Sequence, residues 1–595
     1  MTDSRVWKLP ETAPSPAELA AAWTKVIENG LAAMQNRPAT SFAFDPTAPA
    51  RAMLDFSAQL WSNPMAVLQA SQAAASEWAS LWSAAARRAA GQQVEPVIAP
   101  ERGDRRFGDP AWSEDPVFDY LKQAYLLASR QATDLVTKAE GIDEATRTRA
   151  EFFTTAYLNA LSPANFAFTN PEAIRRAIDT GSISLLSGLA NLLADAATDA
   201  RLPVRRASAA FELGTDIAAT PGSVVFQNEL MQLIQYAPQT ATVHRRPLLY
   251  VPPLVNKYYL LDLQPKSSLI RWLVEQGHTL FVISWINPGP DLADKGLADY
   301  LELGPVAALG AIEKATGERE TDLFGFCMGG TLAAIAAALL AARGEGERIA
   351  SLTTIGSMFD FADMGQWSTF TDPSQVEAME RHLEAQGVLA AHELQGLFSV
   401  VRANDLIWSS VVSHYLLDKE APPSDILHWF ADGAHIPRAF LLDWTNKILR
   451  DNALTEAGAL EIGGDAIDLG KVATPAMIIS LKDDHVSAWQ ATYDGARLLG
   501  GETRFLLGGS GHNAGVINPP SANKHGYWTN ERMPPTAEAW METATRHEGS
   551  WWPEWQQWLV RDPGSGSGAG GGEQVKARKP KKPIEPAPGS YVRMR

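Results

Sequence analysis

One cysteine, a pair of adjacent aspartates and a histidine among glycines are the residues of this sequence best placed to do acyl-transfer chemistry. Cys327 is the only cysteine in 595 residues. It lies in Thr321–Thr331, which reads Thr-Asp-Leu-Phe-Gly-Phe-Cys-Met-Gly-Gly-Thr, and an alanine-rich helical stretch, Leu332–Arg343, follows at once. A strand, a Gly-x-Cys-x-Gly turn and a helix form the setting of a nucleophile elbow, with Cys in the place of Ser. The glycines answer a steric demand, because on so sharp a turn a side chain two residues either side would strike the strand or the helix. A lone cysteine is ordinarily a small buried hydrophobe; here the flanking glycines and the strand–helix context favour the nucleophile.

A thiol nucleophile needs a base to ionise it and a carboxylate to orient that base. Elbow enzymes supply them in the chain order nucleophile, acid, histidine, each after a later strand. The apolar run Ala476–Leu481 ends in Lys482-Asp483-Asp484-His485, and Thr503–Leu507 ends in Gly508-Gly509-Ser510-Gly511-His512-Asn513-Ala514-Gly515. His512, flanked by small residues, reads as a loop base rather than a core histidine. Asp483 and Asp484 both fit the acid, and spacing does not choose between them. Two backbone N–H groups would form the oxyanion hole, one from Met328 and one from the loop Pro252–Tyr258. Prolines lack the N–H, which leaves Leu254 or Val255, with Val255 assigned here. Thiolates attack thioesters readily and leave readily, so a thioester substrate is natural. No His-x-x-x-His pair, P-loop or strand-linked Gly-x-Gly-x-x-Gly is present, which argues against metal catalysis, nucleotide hydrolysis and hydride transfer, and no cofactor is expected.

The elements that must position these groups follow from periodicity. Leu248–Val251, Leu280–Ser284, Asp322–Phe326, Leu352–Ile355, Ala476–Leu481 and Thr503–Leu507 are short runs rich in branched residues. Helical stretches such as Ser267–Glu275, Gly304–Thr316 and Leu332–Arg343 separate the earlier ones. The alternation predicts an α/β fold with a mostly parallel sheet covered on both faces. It lapses from about 360 to 447, a polar and aromatic insertion holding Asn404, Asp405, Trp408, Tyr415 and Trp429, placed where a cap over the site would sit. Residues 1–205 read as an all-helical domain, broken near Ser162-Pro163 and Asn170-Pro171. Its stripe of Leu54, Trp61, Met65, Leu68, Trp78, Leu81 and Trp82 reads as the buried face of that domain, the other reading being an apolar surface for a partner or a water-insoluble body. Residues 206–561 form the catalytic domain. Residues 562–595, glycine-serine and then basic over Lys576–Lys582, read as a flexible tail.

A formal charge of -17 argues against general nucleic-acid binding. One cysteine fits a reducing compartment. No apolar run reaches the ~20 residues that span a bilayer, and the N-terminal residues lack the pattern of a signal peptide. A cytoplasmic protein is expected.

Several longer stretches resemble one family. They are Val251-Pro-Pro-Leu-Val-Asn-Lys-Tyr-Tyr-Leu-Leu-Asp-Leu263, Gly325-Phe-Cys-Met-Gly-Gly-Thr331, Asn404-Asp-Leu-Ile-Trp408, Asp484-His485, Gly511-His-Asn-Ala-Gly-Val-Ile-Asn-Pro-Pro520 and Gly549-Ser-Trp-Trp-Pro-Glu-Trp555. In this order they are similar to class I polyhydroxyalkanoate synthases, closely from about Thr215 onward and more loosely before it. The resemblance implies an α/β-hydrolase fold with a cap insertion, preceded by an all-helical domain. It implies polymerisation of short-chain (R)-3-hydroxyacyl-CoA, such as 3-hydroxybutyryl-CoA, into polyester with release of CoA through an acyl-cysteine. It selects Asp484 over Asp483, leaving a Cys327–Asp484–His512 triad with His485 as an active-site neighbour. Ala488 stands where the family usually has Pro, a departure without expected effect on the chemistry. The partners implied are the growing chain, the granule surface, granule-associated proteins and a second copy in a homodimer, located at cytoplasmic polyester granules. A polyester depolymerase or acyl hydrolase with the same triad is the alternative; a non-catalytic granule coat is disfavoured by the intact triad.

Overall fold

The computed structural model describes residues 14–35, 43–62, 64–197, 211–420, 422–561 and 568–595. The chain divides into two compact units: Met1–Arg206 with Ser368–Gln375 and His392–Pro422, and Ala207–Trp367 with Val376–Ala391 and Pro423–Arg595. The expected boundary near residue 205 lies outside the described residues.

The second unit is built on an eleven-stranded sheet. Its strands are β1 (Gly222–Gln227), β2 (Met231–Tyr236), β3 (Pro247–Val251), β4 (Thr279–Trp285), β5 (Thr321–Phe326), β6 (Ile349–Ile355), β7 (Ala476–Leu481), β8 (Thr503–Gly508), β9 (Tyr527–Thr529), β10 (Thr545–His547) and β11 (Glu585–Pro586). They lie in the order β10-β9-β8-β7-β6-β5-β3-β4-β2-β1-β11. The six strands from β8 to β4 are parallel, and β2 turns antiparallel to β4. The α/β-hydrolase fold expected from the sequence is the fold observed. All six predicted runs are strands of its parallel core, because strands buried on both faces read as continuous apolar runs. Between β5 and β6 runs the Met328–Ala342 helix, buried without a break from Gly329 to Leu340. Its alanines let it lie between sheet and neighbours with no polar face at all, as a helix enclosed on every side requires.

The tail reading is corrected from residue 568 onward. Gln574–Lys576 pairs with Thr242–His244, and β11 extends the sheet beyond β1. Arg578 of the basic run ion-pairs with Glu318 at 2.6 Å. The tail also serves polar groups of β2: the Gln232 side chain donates to Ser590 Oγ at 3.0 Å, and Gln235 to the Arg578 carbonyl at 3.1 Å. Residues 562–567, within the expected glycine-serine linker, lie outside the described residues.

The first unit is helical, as read. Asp115, Asp143 and Asn170 cap the helices Pro116–Lys138, Glu144–Ala160 and Pro171–Asp179 with their side-chain oxygens, and Pro171 takes the first helical position, where its missing N–H costs nothing. Phe56, Val136, Ala139, Ile142 and Ala150 form one core cluster; Phe107, Trp112, Phe118 and Ala164 form another. No single helix among the described residues is long and apolar enough to cross a membrane.

Two expectations change here. The stretch 360–447 is not one insertion, since 368–375 and 392–422 belong to the helical unit and the rest to the sheet unit. The Leu54–Trp82 stripe is also largely not a buried face. Trp61 is 66% and Trp82 60% exposed, Leu54, Met65 and Leu68 are exposed too, and Leu81 is buried. On the Pro64–Ala89 helix Leu81 and Ala84 are buried, Trp78 is half-buried and donates its Nε1 to Gln131 at 3.0 Å, and the Trp82 ring faces outward.

Candidate active site

Cys327 occupies the turn between β5 and the Met328–Ala342 helix, with φ 53° and ψ -132°. A non-glycine residue at such a φ is strained by about 1–3 kcal/mol and persists only where its surroundings impose it. Here the Cys327 N–H donates to the Ile355 carbonyl and the Cys327 carbonyl accepts from Gly330 N–H, both at 2.9 Å. The glycines have the predicted steric role. A Cβ on Gly325 would sit 2.4 Å from the Gly329 carbonyl oxygen, and one on Gly329 would sit 2.2 Å from that of Val251.

Asp484 and His512 meet at this turn from the ends of β7 and β8. His512 Nδ1 donates to Asp484 Oδ2 at 2.6 Å, and both side chains are buried. The second oxygen, Oδ1, accepts from the backbone N–H groups of Val486 (2.7 Å) and Ser487 (2.9 Å). With both oxygens engaged, the carboxylate has one orientation. Asp483 is exposed while Asp484 is buried, which separates two residues that spacing left level. Burial alone would lower the pKa of His512, yet the Asp484 carboxylate, the Cys327 side chain and hydrogen bonds to both raise it to about 10. Gly356, at φ 55°, leaves the pair its space: a Cβ there would lie 3.3 Å from His512 Cε1 and 3.4 Å from Asp484 Oδ2. Phe326 packs on the imidazole with ring centroids 4.8 Å apart.

The loop expected to give the second oxyanion donor, Pro252–Tyr258, leaves β3 directly against Gly329. Met328 begins its helix, so its N–H belongs to the first turn, which has no intrahelical partner. Val255 is half-buried and Leu254 is buried. His485 is exposed, and its carbonyl accepts from Trp367 Nε1 at 3.1 Å; its imidazole is not part of the His512–Asp484 pair. Among the described residues no cluster of three or more His, Cys, Asp or Glu is arranged to hold a metal ion.

Residues that the sequence did not single out for the site hold the His512 loop. Trp551 Nε1 donates to the Gly515 carbonyl at 2.9 Å, and Trp552 Nε1 to that of Val516 at 3.0 Å. Trp551, Trp552, Trp555 and Trp558 are all buried, which gives four of the nineteen tryptophans a place. A buried indole N–H needs an acceptor, so the same rings that fill the core also anchor the loop. The signal was present in Gly549–Trp555, where bulky rings crowd far more densely than a surface helix needs.

Residues 103–273 match the family described as "Poly-beta-hydroxybutyrate polymerase (PhaC) N-terminus", and residues 257–519 match the alpha/beta hydrolase fold. A poly(3-hydroxyalkanoate) polymerase of Methylorubrum extorquens is 40% identical over 546 residues, covering 90% of this chain and 89% of that protein. The poly(3-hydroxyalkanoate) polymerase subunit PhaC of Cupriavidus necator is 41% identical over 498 residues, 82% of this chain and 83% of that one. Among solved structures, the complex of DcsB with its substrate analogue is a weak likeness: 14% identity, 50% of this chain, 92% of that chain and a TM-score of 0.32.

Proposed function

This chain belongs to the poly(3-hydroxyalkanoate) polymerase family, and on that premise we propose that it builds its polyester through a covalent acyl-cysteine at Cys327. The observation that carries the reading is the strained Cys327 turn facing a buried His512 whose Nδ1 is committed to Asp484. That bond leaves Nε2 for the nucleophile. His512 takes the thiol proton, and the thiolate attacks the thioester carbon of a 3-hydroxyacyl-CoA. Charge gathers on the carbonyl oxygen, where Met328 and Val255 N–H groups would stabilise it. The C–S bond to CoA then breaks, and the imidazolium returns its proton to the leaving thiolate.

Acylation also resets the base. The Cys327 side chain is one of the causes that raise the His512 pKa, and an acylated sulfur carries no charge. The imidazole left after CoA departs is therefore neutral more readily, and it can accept the proton of an incoming 3-hydroxyl. The resulting alkoxide attacks the acyl-cysteine, an ester forms, and the Cys327 thiolate is released. The elongated chain, now a noncovalent ester-CoA, is taken up again by the same thiolate. One cysteine per chain supports this alternation over a scheme with two thiols. In a homodimer, each Cys327 works by itself.

The Phe-Cys-Met-Gly-Gly-Thr form of the elbow supports short side chains, 3-hydroxybutyryl-CoA first. Attachment to the granule is assigned to the helical unit. On Pro16–Gln35, Trp23, Ile27, Leu31 and Met34 are all exposed at helical spacing, and rings and aliphatic groups laid out this way suit an apolar surface. The test is to supply 3-hydroxybutyryl-CoA and follow both CoA and product. Polymer with stoichiometric CoA is expected, and Cys327→Ala is expected to release none. Free 3-hydroxybutyrate would assign a hydrolase to the same triad, and an active Cys327→Ala would remove the acyl-cysteine.

A further inference from the structure

The loop that carries Val255 is held by a buried ion pair which the catalytic reading leaves unused. Trp285 Nε1 donates to the Pro252 carbonyl at 2.9 Å, fixing the start of the loop, and Gly329 leaves it no room on the side of the nucleophile. On its other side runs the segment Trp429–Ala434. The Ala434 N–H reaches the Val255 carbonyl at 3.4 Å, Asn256 bridges Gly433, and Trp429 Nε1 donates to the Lys257 carbonyl at 2.7 Å. Side chains complete the join. Lys257 Nζ donates to Asp432 Oδ1 at 2.7 Å and to the Met594 carbonyl at 3.0 Å, and the Tyr259 hydroxyl donates to Asp432 Oδ2 at 2.8 Å. The Lys257 side chain is 5% exposed and that of Asp432 12%.

We propose that Lys257 is a positioning residue for acyl transfer, holding the Val255 loop at its distance from the Cys327 turn through Asp432. A buried ion pair gains little stability over apolar residues of the same volume, so its contribution here is direction. Both Asp432 oxygens are occupied by groups two residues apart on the loop, which fixes the rotation of the backbone between β3 and Tyr259. A displacement of about 1 Å at a catalytic group costs on the order of a hundredfold in rate. The inference rests on Cys327 being the nucleophile.

The experiment separates position from stability by the split between kcat and KM. Lys257→Met is expected to lower kcat for 3-hydroxybutyryl-CoA about ten- to a hundredfold, with KM held within about threefold, since ground-state binding does not use the oxyanion donors. It also leaves the buried Asp432 carboxylate without its cation, held, of its two side-chain partners, by the Tyr259 hydroxyl alone. The triple variant Lys257→Met, Tyr259→Phe, Asp432→Leu removes the buried carboxylate together with both its side-chain partners and is expected to melt near the wild type while kcat stays low. Lys257→Arg, which keeps the charge, should retain most of kcat, and this contrast with Lys257→Met decides the matter if the triple variant does not melt cooperatively. A triple variant that recovers kcat together with melting temperature, or a loss that falls on KM, overturns the proposal. Cys327→Ala is assayed alongside. If it is inert while the triple variant turns over normally, only the positioning role fails; if it is active, the acyl-cysteine reading fails and takes this inference with it.

Discussion

His512 and His278 are both buried in the sheet unit, yet one is held charged and the other neutral. At the C-terminal end of the parallel strands, His512 faces the Asp484 carboxylate and the Cys327 side chain, and its pKa rises to about 10. His278, just before β4, has no anion beside it among the described residues. Burial first, and then the neighbouring His244 ring 4.7 Å away, lowers its pKa to about 3, while Gln556 partners its Nε2. Burial by itself therefore makes a histidine inert. An oriented carboxylate turns the same ring into a group that holds a proton and hands it on.

The sharpest way to break the comparison is to make the surroundings of His512 resemble those of His278. Asp484→Asn removes the largest influence raising the His512 pKa. The expected loss in kcat is ~10³–10⁴-fold, as for other triads that lose their orienting carboxylate, whereas exposed Asp483→Asn stays close to wild type. The pH profile supplies a second reading. With a pKa of about 10, His512 holds its proton until pH rises toward that value, and on the proposed mechanism this is the proton given to departing CoA. An alkaline limb is expected there, moving to lower pH in Asp484→Asn. The sign for stability is the same. A histidine raised in the folded state contributes fully below its unfolded value near 6.5 and loses that contribution as pH climbs through 10. Equal losses at Asp483 and Asp484, or a limb that does not move, would undo the assignment.

A smaller effect sharpens the other side. The unfolded chain protonates His278 below about 6.5, and the folded protein does not until about 3. This residue therefore withdraws stability as pH falls, by about 2 kcal/mol at pH 5. His278→Gln, whose amide still reaches Gln556, is expected to lose less stability than wild type between pH 8 and pH 5 in paired denaturant titrations, with kcat at pH 8 unchanged. Comparing the two at each pH cancels buried Asp262 and Asp322, whose pKa values burial raises to about 6 and which favour the folded state in acid. An identical acid response in both proteins would contradict a neutral His278.

Much of this was legible in the chain because the parallel core announces itself: each strand from β3 to β8 carries a run of buried branched or aromatic residues, and Cys327, Asp484 and His512 fall in the order expected of elbow enzymes. β1 and β2 were not, since Gln232 and Gln235 interrupt the apolar pattern and are satisfied by residues about 350 positions away. The tail was misread for the same reason from the other side. Its glycine, serine and lysine content describes a solvated chain, while the edge of β1 offered unpaired backbone groups for β11 to complete. The Leu54–Trp82 stripe misled because periodicity marks an apolar face without saying what covers it. Lys257 and Asp432 lie 175 residues apart, and no local pattern joins them.

The central claim is that acyl groups pass through the Cys327 sulfur. Butyryl-CoA, which lacks the 3-hydroxyl, can acylate the enzyme and cannot extend the chain, so the first intermediate should accumulate. Intact-protein mass spectrometry after an acid quench is expected to show one butyryl group per chain, mapped to the peptide containing Gly325–Thr331 and missing in Cys327→Ala. Release of CoA with an unmodified protein, or with the butyryl group on another residue, would contradict the account.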